Sequence, residues 1–159
     1  MKTHRLKASL LVAVATAAGM FAAGSAQADT QVVTVNAQII GICKFNSGQT
    51  PVVTVANAGA TINPSLAGPA TGSANVLYKC TNGTVPGFTG AATATVTCTT
   101  SGTCGVTTMT PAMTYTGGGN GSGFTVNKTL VVAGSLTQVQ YQDMQAGTYS
   151  GTVTVTVTP

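Results

Sequence analysis

The stretch Thr148–Thr158, TYSGTVTVTVT, decides the fold of this chain. From Thr152 to Thr158 valines alternate with threonines, so an extended backbone has one apolar face and one hydroxyl face. A side-chain period of two with β-branched residues predicts a β-strand that is buried on one face. Such a strand needs a neighbour on each edge or a protected edge. Only Pro159 follows it in the sequence, and we expect its second neighbour to come from elsewhere.

Further short extended segments precede this strand and are separated by glycine, proline and asparagine turns. They include residues 52–55, 74–80, 92–99 and 136–141. Threonine is abundant in them, and threonine suits the solvent face of a strand. With roughly eight such segments and no helical period, the pattern predicts an all-β chain folded as a β-sandwich.

The start of the chain has the features of a secretory signal peptide. Basic residues open it, an apolar run extends over residues 8–23, and Ala26-Gln27-Ala28 forms a small-residue cleavage site. A transmembrane helix is the alternative, but the run is too short and ends in small residues. We therefore expect residues 1–28 to be removed on export.

Removal of this segment changes the charge of the protein. Of the 6 basic residues, Lys44, Lys79 and Lys128 remain against two aspartates, Asp29 and Asp143, and the only histidine is lost. The nearly neutral remainder predicts no nucleic-acid partner. It also lacks paired titratable groups for acid–base catalysis, a base to activate a nucleophile, and a metal-binding cluster. We expect no catalytic residue, no metal, no cofactor and no enzymatic activity.

The four cysteines all lie in the exported part, where oxidation to disulfides is expected. Three pairings are possible. Cys98 and Cys104 are close enough in sequence to clamp a hairpin, which leaves Cys43 to pair with Cys80. A metal site is the alternative, but the sequence has no C-x-x-C spacing.

The beginning of the mature chain also alternates. One face carries Val33, Val35, Ala37 and Ile39. The ordinary interpretation is a first strand of the domain, and this stretch alone favours it. The other interpretation is an N-terminal extension that is used between molecules.

Three features together resemble the spore coat protein U-like domain, which is the pilin domain of archaic chaperone–usher pili. The first is the alternating N-terminal segment that runs into Cys43. The second is the stretch Val76–Thr84, with its Val-x-x-x-Cys-Thr-Asn-Gly-Thr pattern. The third is the ending Ala146–Val157, AGTYSGTVTVTV.

The resemblance implies an immunoglobulin-like β-sandwich, residues 40–159, that lacks its final strand and is completed by donor-strand exchange. A periplasmic chaperone first lends a strand, and the N-terminal extension of another pilin subunit replaces it at an outer-membrane usher. Residues 29–39 are then the donor extension, with Val33, Val35, Ala37 and Ile39 entering the neighbour. The acceptor edge strand presents Tyr149, Val153, Val155 and Val157.

The function implied is that of a structural subunit of a surface pilus for adhesion or biofilm formation. It would be exported through the periplasm and would form a homo- or heteropolymer on the cell surface. The alternatives are a spore- or cell-coat protein and a self-contained secreted β-sandwich that binds carbohydrate or protein. In a self-contained module the N-terminal segment would fold back into its own domain.

Overall fold

The structure, a computed structural model, describes residues 30–100, Cys104 and 107–159. The predicted signal peptide lies outside these residues. The chain divides after Ala37 into two units. In the described part of the first unit, residues 30–37, the side chains are exposed and the backbone forms no strand. The described part of residues 38–159 is all-β, with a single short helix.

The second unit has nine strands in its described residues. In chain order the elements are β1 (Cys43–Phe45), β2 (Ala70–Cys80), β3 (Gly87–Gly90), β4 (Val96–Cys98), β5 (Thr108–Met109), β6 (Ala112–Gly117), β7 (Lys128–Leu136), α1 (Gln138–Tyr141), β8 (Tyr149–Ser150) and β9 (Val155–Thr158).

The largest sheet is antiparallel and has the strand order β1–β2–β7–β6. Its centre is the long pair β2 and β7, in which Gly72 lies opposite Gly134 and Tyr78 opposite Lys128. Along β7 buried residues alternate with more exposed ones, as a strand with one core-facing side requires. This sheet supplies most of the core.

The C-terminal segment pairs with residues 87–98 in two short antiparallel ladders. β9 pairs with β3, where Val157 lies opposite Phe88, and β8 pairs with β4, where Tyr149 lies opposite Cys98. The two ladders are offset by a bulge, because the chain between β3 and β4 is longer than the chain between β8 and β9. At this bulge residues 92–94 turn to β6, where Thr93 bridges Ala112.

The strand pairings therefore do not form a closed ring. In one run of hydrogen-bonded neighbours, β1 pairs with β2, β2 with β7, β7 with β6, and β6 with residues 92–94. In the other, β3 and β4 pair with the C-terminal segment. β9 and β8 are end strands of their sheets. β9 lies beside β1, yet no ladder joins these two strands in the described chain.

The apolar core has two clusters. The first is built on buried residues of the large sheet, namely Tyr78, Cys80, Met113, Leu130 and Val132, together with Ala94. The second contains Ala70, Met109, Leu136 and Tyr141. In both clusters the buried residues are joined by apolar side chains that are only partly buried.

Two predicted strands are wrong. Residues 52–55 form no strand, because this segment lies against the face of the large sheet: a Cβ built on Gly72 would collide with the Thr54 carbonyl oxygen. Only the next residue, Ala56, pairs with the sheet, in a bridge to Thr71 of β2. Residues 136–141 turn into α1 after Leu136. The Gln140 side chain stabilises that turn by accepting the Thr137 backbone N–H at 2.9 Å.

Candidate strand-acceptor groove

The C-terminal segment has the alternating burial that its sequence predicts. Its apolar side chains are partly buried and its hydroxyl side chains are exposed. The partly buried residues are Tyr149, Val153, Val155 and Val157. None of them reaches full burial, although valines on the inner face of a closed core usually do. The inner face of this strand is therefore incompletely covered.

A second segment packs against the same core clusters as these residues. Val53 and Phe45 pack against the same core cluster as Val153 and Val155. Val55 belongs to the second cluster, where it is joined by Tyr149. Each cluster is thus bounded by partly buried residues from the beginning of the domain and from its end.

A pair of glycines positions the first of these two segments. Gly72 and Gly134 lie opposite each other on β2 and β7. A Cβ on Gly134 would lie 3.2 Å from Val55 and 3.3 Å from Val53, and at Gly72 it would meet the Thr54 carbonyl. Because the sheet has no side chains here, residues 53–55 can approach its backbone closely.

We call the space between residues 45–55 and residues 149–158 the acceptor groove. Both sets of partly buried residues pack against buried residues of the two core clusters, so we treat them as the two walls of the groove and the inner face of the large sheet as its floor. The second edge of the C-terminal segment faces it without a strand partner in the residues that the structure describes. A strand placed there would receive backbone hydrogen bonds and would cover apolar side chains.

Sequence reasoning missed the wall formed by Phe45, Val53 and Val55. A signal was available, since Val53 and Val55 are two residues apart and Phe45 follows Cys43 at the same spacing. The predicted acceptor residues, by contrast, share the partly buried side of the C-terminal segment, with Tyr149 in β8, Val155 and Val157 in β9, and Val153 between the two strands. Whether they accept a strand remains a prediction.

The predicted donor residues are strongly exposed. The exposed fractions are 75% for Val33, 85% for Val35 and 83% for Ile39, and Ala37 is exposed as well. Ile40 and Ile42, which follow, are also exposed, at 64% and 43%. Apolar β-branched side chains in a row are costly to leave in water, roughly 1.5–3 kcal/mol each relative to burial.

The two disulfides join Cys43 to Cys80 and Cys98 to Cys104, the pairs that the spacing favoured. The first ties β1 to its neighbour β2. The second packs against Gly147, where a Cβ would lie 2.6 Å from the Cys104 sulfur. Thr99 and Thr148 are hydrogen-bonded beside it at 2.8 Å. The second disulfide therefore fixes the point at which the C-terminal segment begins.

Two partly or fully buried tyrosines of the described chain have raised pKa values. Burial raises the pKa of the Tyr78 phenol, which donates a hydrogen bond to the Gly119 carbonyl at 2.8 Å. Burial also raises the pKa of Tyr115, whose hydroxyl donates to the Ala91 carbonyl. No group of three or more potential metal ligands occurs in the described parts of the chain.

Two surface depressions lie away from the acceptor groove. The larger, about 330 Å³, lies over the small residues Ser73, Thr114 and Ala133 of the large sheet. The smaller, about 170 Å³, lies beside Phe88 and Asn120. Neither brings titratable side chains together. Among the residues described, no helix is long and apolar enough to cross a membrane.

No protein-family model, curated protein or solved structure matches this chain. A functional assignment must therefore come from the groove and from the sequence features that led to it.

Proposed function

We propose that this chain is a structural subunit of a surface fibre of the chaperone–usher type. Its domain, residues 40–159, would be an immunoglobulin-like sandwich that lacks one strand. Residues 29–39 of another copy, or of a related subunit, would fill the acceptor groove. The observation that carries the proposal is the end strand with partly buried valines whose second edge has no partner among the described residues.

Complementarity between the donor and the groove supports the proposal. Residues 30–39 are the same length as residues 149–158, and in both segments apolar residues recur with a period of two, with Val32 out of phase in the first. A donor strand would bury Val33, Val35 and Ile39, so the apolar contribution is of order 5–8 kcal/mol before the costs of ordering and association. Ladder hydrogen bonds along the strand would add to it. This is sufficient for a polymer that dissociates slowly.

The assembly pathway follows from the incomplete domain. Before polymerisation the acceptor groove would expose apolar side chains and a strand edge, which promotes aggregation. A periplasmic chaperone that lends a strand would protect the groove, and an outer-membrane usher would release the subunit to the next copy. The signal peptide at residues 1–28 and the two disulfides are consistent with export through an oxidising periplasm.

Deletion of residues 29–38 tests the proposal. The truncated chain should still bind the chaperone but should not be added to a preceding subunit, because it has no donor. Fibres can be sheared from cells and quantified, with electron microscopy as an independent measure. Unchanged fibre formation would contradict the proposal. So would a stable full-length monomer whose residues 30–39 pair within the same molecule, the behaviour of a self-contained binding module.

A further inference from the structure

The charged side chains of the domain are segregated to its two ends. After Asp29 the sequence has only Lys44, Lys79, Lys128 and Asp143 as charged side chains. Lys44 and Lys79 lie directly opposite each other on β1 and β2, next to the Cys43–Cys80 pair. Lys128 begins β7 and lies opposite Tyr78. All three lysines therefore lie at the end of the large sheet where β2 ends.

Asp143 lies at the opposite end. It follows α1, which in turn follows the last residue of β7, Leu136. Leu136 pairs with Ala70 at the start of β2, and β2 has 11 residues. At about 3.3 Å per residue, roughly 35 Å separates the two ends of this strand. We name them the lysine end, with Lys44 and Lys79, and the aspartate end, with Asp143.

The lysine pair places two like charges side by side on the sheet, and only Lys44 is seen to gain a compensating contact, with the Phe124 ring. Like charges directly opposite each other on neighbouring strands destabilise a sheet. Lys44 is exposed, and its ammonium group lies 5.3 Å from the centre of the Phe124 ring. Asp143 is also exposed, and the Gln142 side-chain amide donates a hydrogen bond to its carboxylate at 3.4 Å. Lys44 and Asp143 are therefore both on the surface of the described domain, where charges of another molecule could reach them.

The acceptor groove runs between these two ends. Pro159 lies at the lysine end, because a Cβ on Gly41 would be 3.7 Å from the Pro159 side chain. Tyr149 lies at the aspartate end, since it packs in the cluster that contains Leu136 and Tyr141. The orientation of a donor strand therefore decides which end of the acceptor meets the body of the donor copy.

Ile39 is the last residue of the donor extension and is followed directly by the donor's own domain. That domain must therefore lie next to the end of the groove at which Ile39 binds. Residues 40–42 are held at the lysine end of their own domain, where Thr81 donates its backbone N–H to the Ile42 carbonyl at 2.9 Å. A donor parallel to residues 149–158 would place Ile39 beside Thr158 and bring two lysine ends together. An antiparallel donor would place Ile39 beside Tyr149 and bring a lysine end to an aspartate end.

The charges favour the antiparallel arrangement. Opposite charges meet in it, whereas the parallel arrangement opposes two pairs of lysines. We infer that the two ends form a contact surface between successive copies, in which Lys44 and Lys79 of one copy face Asp143 of the next. This inference rests on the proposed function.

The contact has a consequence for assembly. A contact between the lysine end of one copy and the aspartate end of the next is heterologous, so it can be repeated to give an open polymer. A contact between two lysine ends is reciprocal and would give a closed dimer. The segregated charges therefore disfavour the dimer and favour the fibre. Exposed ion pairs contribute modestly, so reversing one partner should slow fibre growth roughly twofold to fivefold at low salt.

Cross-linking of assembled fibres tests the arrangement directly. The full chain is exported in its host with Lys44→Cys, Asp143→Cys or both, and sheared fibres are treated with a short bismaleimide. The four native cysteines are disulfide-bonded, so only the introduced thiols react. We expect a covalent ladder from the double variant and none from either single variant or from the exposed control Thr114→Cys.

Dimers from Lys44→Cys alone would overturn the inference, and so would fibres of the double variant that give no ladder. Charge reversal is the second measurement. Asp143→Lys should slow fibre growth, and adding Lys44→Glu and Lys79→Glu to that variant should restore it. If Asp143→Lys has no effect, or if the added glutamates do not restore growth, the inference is overturned. If deletion of residues 29–38 leaves fibre formation intact, the proposed function itself fails, whatever the cross-links show.

Discussion

Gly72 on β2 lies so close to the carbonyl oxygen of Thr54 that no side chain fits between them. This contact brings residues 53–55 onto the face of the large sheet, where Val53 and Val55 form one wall of the acceptor groove. The absence of a side chain at one position of β2 thus helps to shape the surface to which we assign strand binding.

Gly72→Ala should destabilise the domain and disturb the groove. The new methyl group would force residues 53–55 away from the sheet, and overpacking of this kind costs about 1–3 kcal/mol. Ser73→Ala is a matched control on the same strand, because Ser73 is exposed. Urea unfolding of the chaperone-free, strand-complemented domain measures both variants. Equal stabilities would show that the close approach at Gly72 is not required.

Alternate residues of the donor should differ in their sensitivity to charge. Val35→Asp would place a carboxylate in the groove, and the loss of valine burial alone predicts at least about tenfold weaker incorporation. Thr34→Asp adds the same charge to the other face of the strand and should have little effect. Subunit incorporation is measured by immunoblotting sheared fibres. A similar loss in both variants would indicate that the segment does not dock by one face.

The two disulfides should contribute unequally to stability. The sequence separations are 37 residues for Cys43–Cys80 and 6 for Cys98–Cys104. Restriction of the unfolded chain then predicts losses of about 4 and about 2 kcal/mol when the respective cysteines are replaced by alanine.

Removal of Cys98–Cys104 should have an additional effect on function. This disulfide packs against Gly147, just before the C-terminal segment, so its loss frees one end of the acceptor strand. We expect weaker strand binding than the stability change alone explains. The Gly72→Ala variant provides the reference, because Gly72 lies in the floor of the groove and not beside the acceptor strand. A fibre yield that follows stability alone in both variants would argue against a role in positioning the strand.

The sequence predicts the alternating burial of the C-terminal segment, because Val153, Val155 and Val157 are partly buried while the threonines between them are exposed. The continuous strand predicted over residues 148–158 is wrong in part, since residues 151–154 form no strand and separate β8 from β9. Residues 52–55 carry a similar signal but form no strand, because pairing depends on where Gly72 and Gly134 leave room. A contact between residues that are distant in sequence is not visible in a local pattern.

The helix α1 shows a second limit. Residues 138–141 are too short to display a helical period, and the turn depends on Gln140, whose amide also donates to the Thr110 carbonyl at 2.9 Å. The disulfide pairs could be inferred from spacing, because a short loop restricts the partners. The arrangement of charge at the two ends of the domain could not be inferred from the sequence, because it depends on the pairing of β1 with β2 and of β2 with β7.

Stability should fall at high pH through Tyr78. Burial raises the pKa of its phenol above the usual value of about 10, so the neutral form is favoured in the folded state. The contribution is fully present below the pKa of the unfolded chain and is lost as the pH rises through the higher folded pKa. Urea unfolding measured from pH 8 to pH 11, which is about one unit above the usual tyrosine pKa, detects this loss.

Tyr78→Phe should reduce that pH dependence, at a cost of about 1 kcal/mol near neutral pH for the lost hydrogen bond to Gly119. The slope that remains should include Tyr115, whose pKa is raised by burial as well. An unchanged slope in the Tyr78→Phe variant would indicate that the phenol is accessible to water in the folded protein.

A donor strand supplied in the same chain should convert the domain into a stable monomer. We propose to delete residues 29–38 and to append a copy of residues 30–39 after Pro159 through a linker of about four residues, the length of a tight hairpin connection. Such a short linker allows only a donor that runs antiparallel to β9. We expect a monomer with a higher melting temperature than the truncated chain alone, because the appended valines cover Val153 and Val155.

The matched control carries threonine in place of the two appended valines that correspond to Val33 and Val35. It keeps the strand length and β-branching, but it loses the apolar contact, so its melting temperature should lie well below that of the apolar fusion. If the two fusions are equally stable, apolar docking is not the source of stability. If the apolar fusion needs a linker long enough to span the domain, roughly ten extended residues, the donor runs parallel to β9 and the contact between lysine and aspartate ends is wrong.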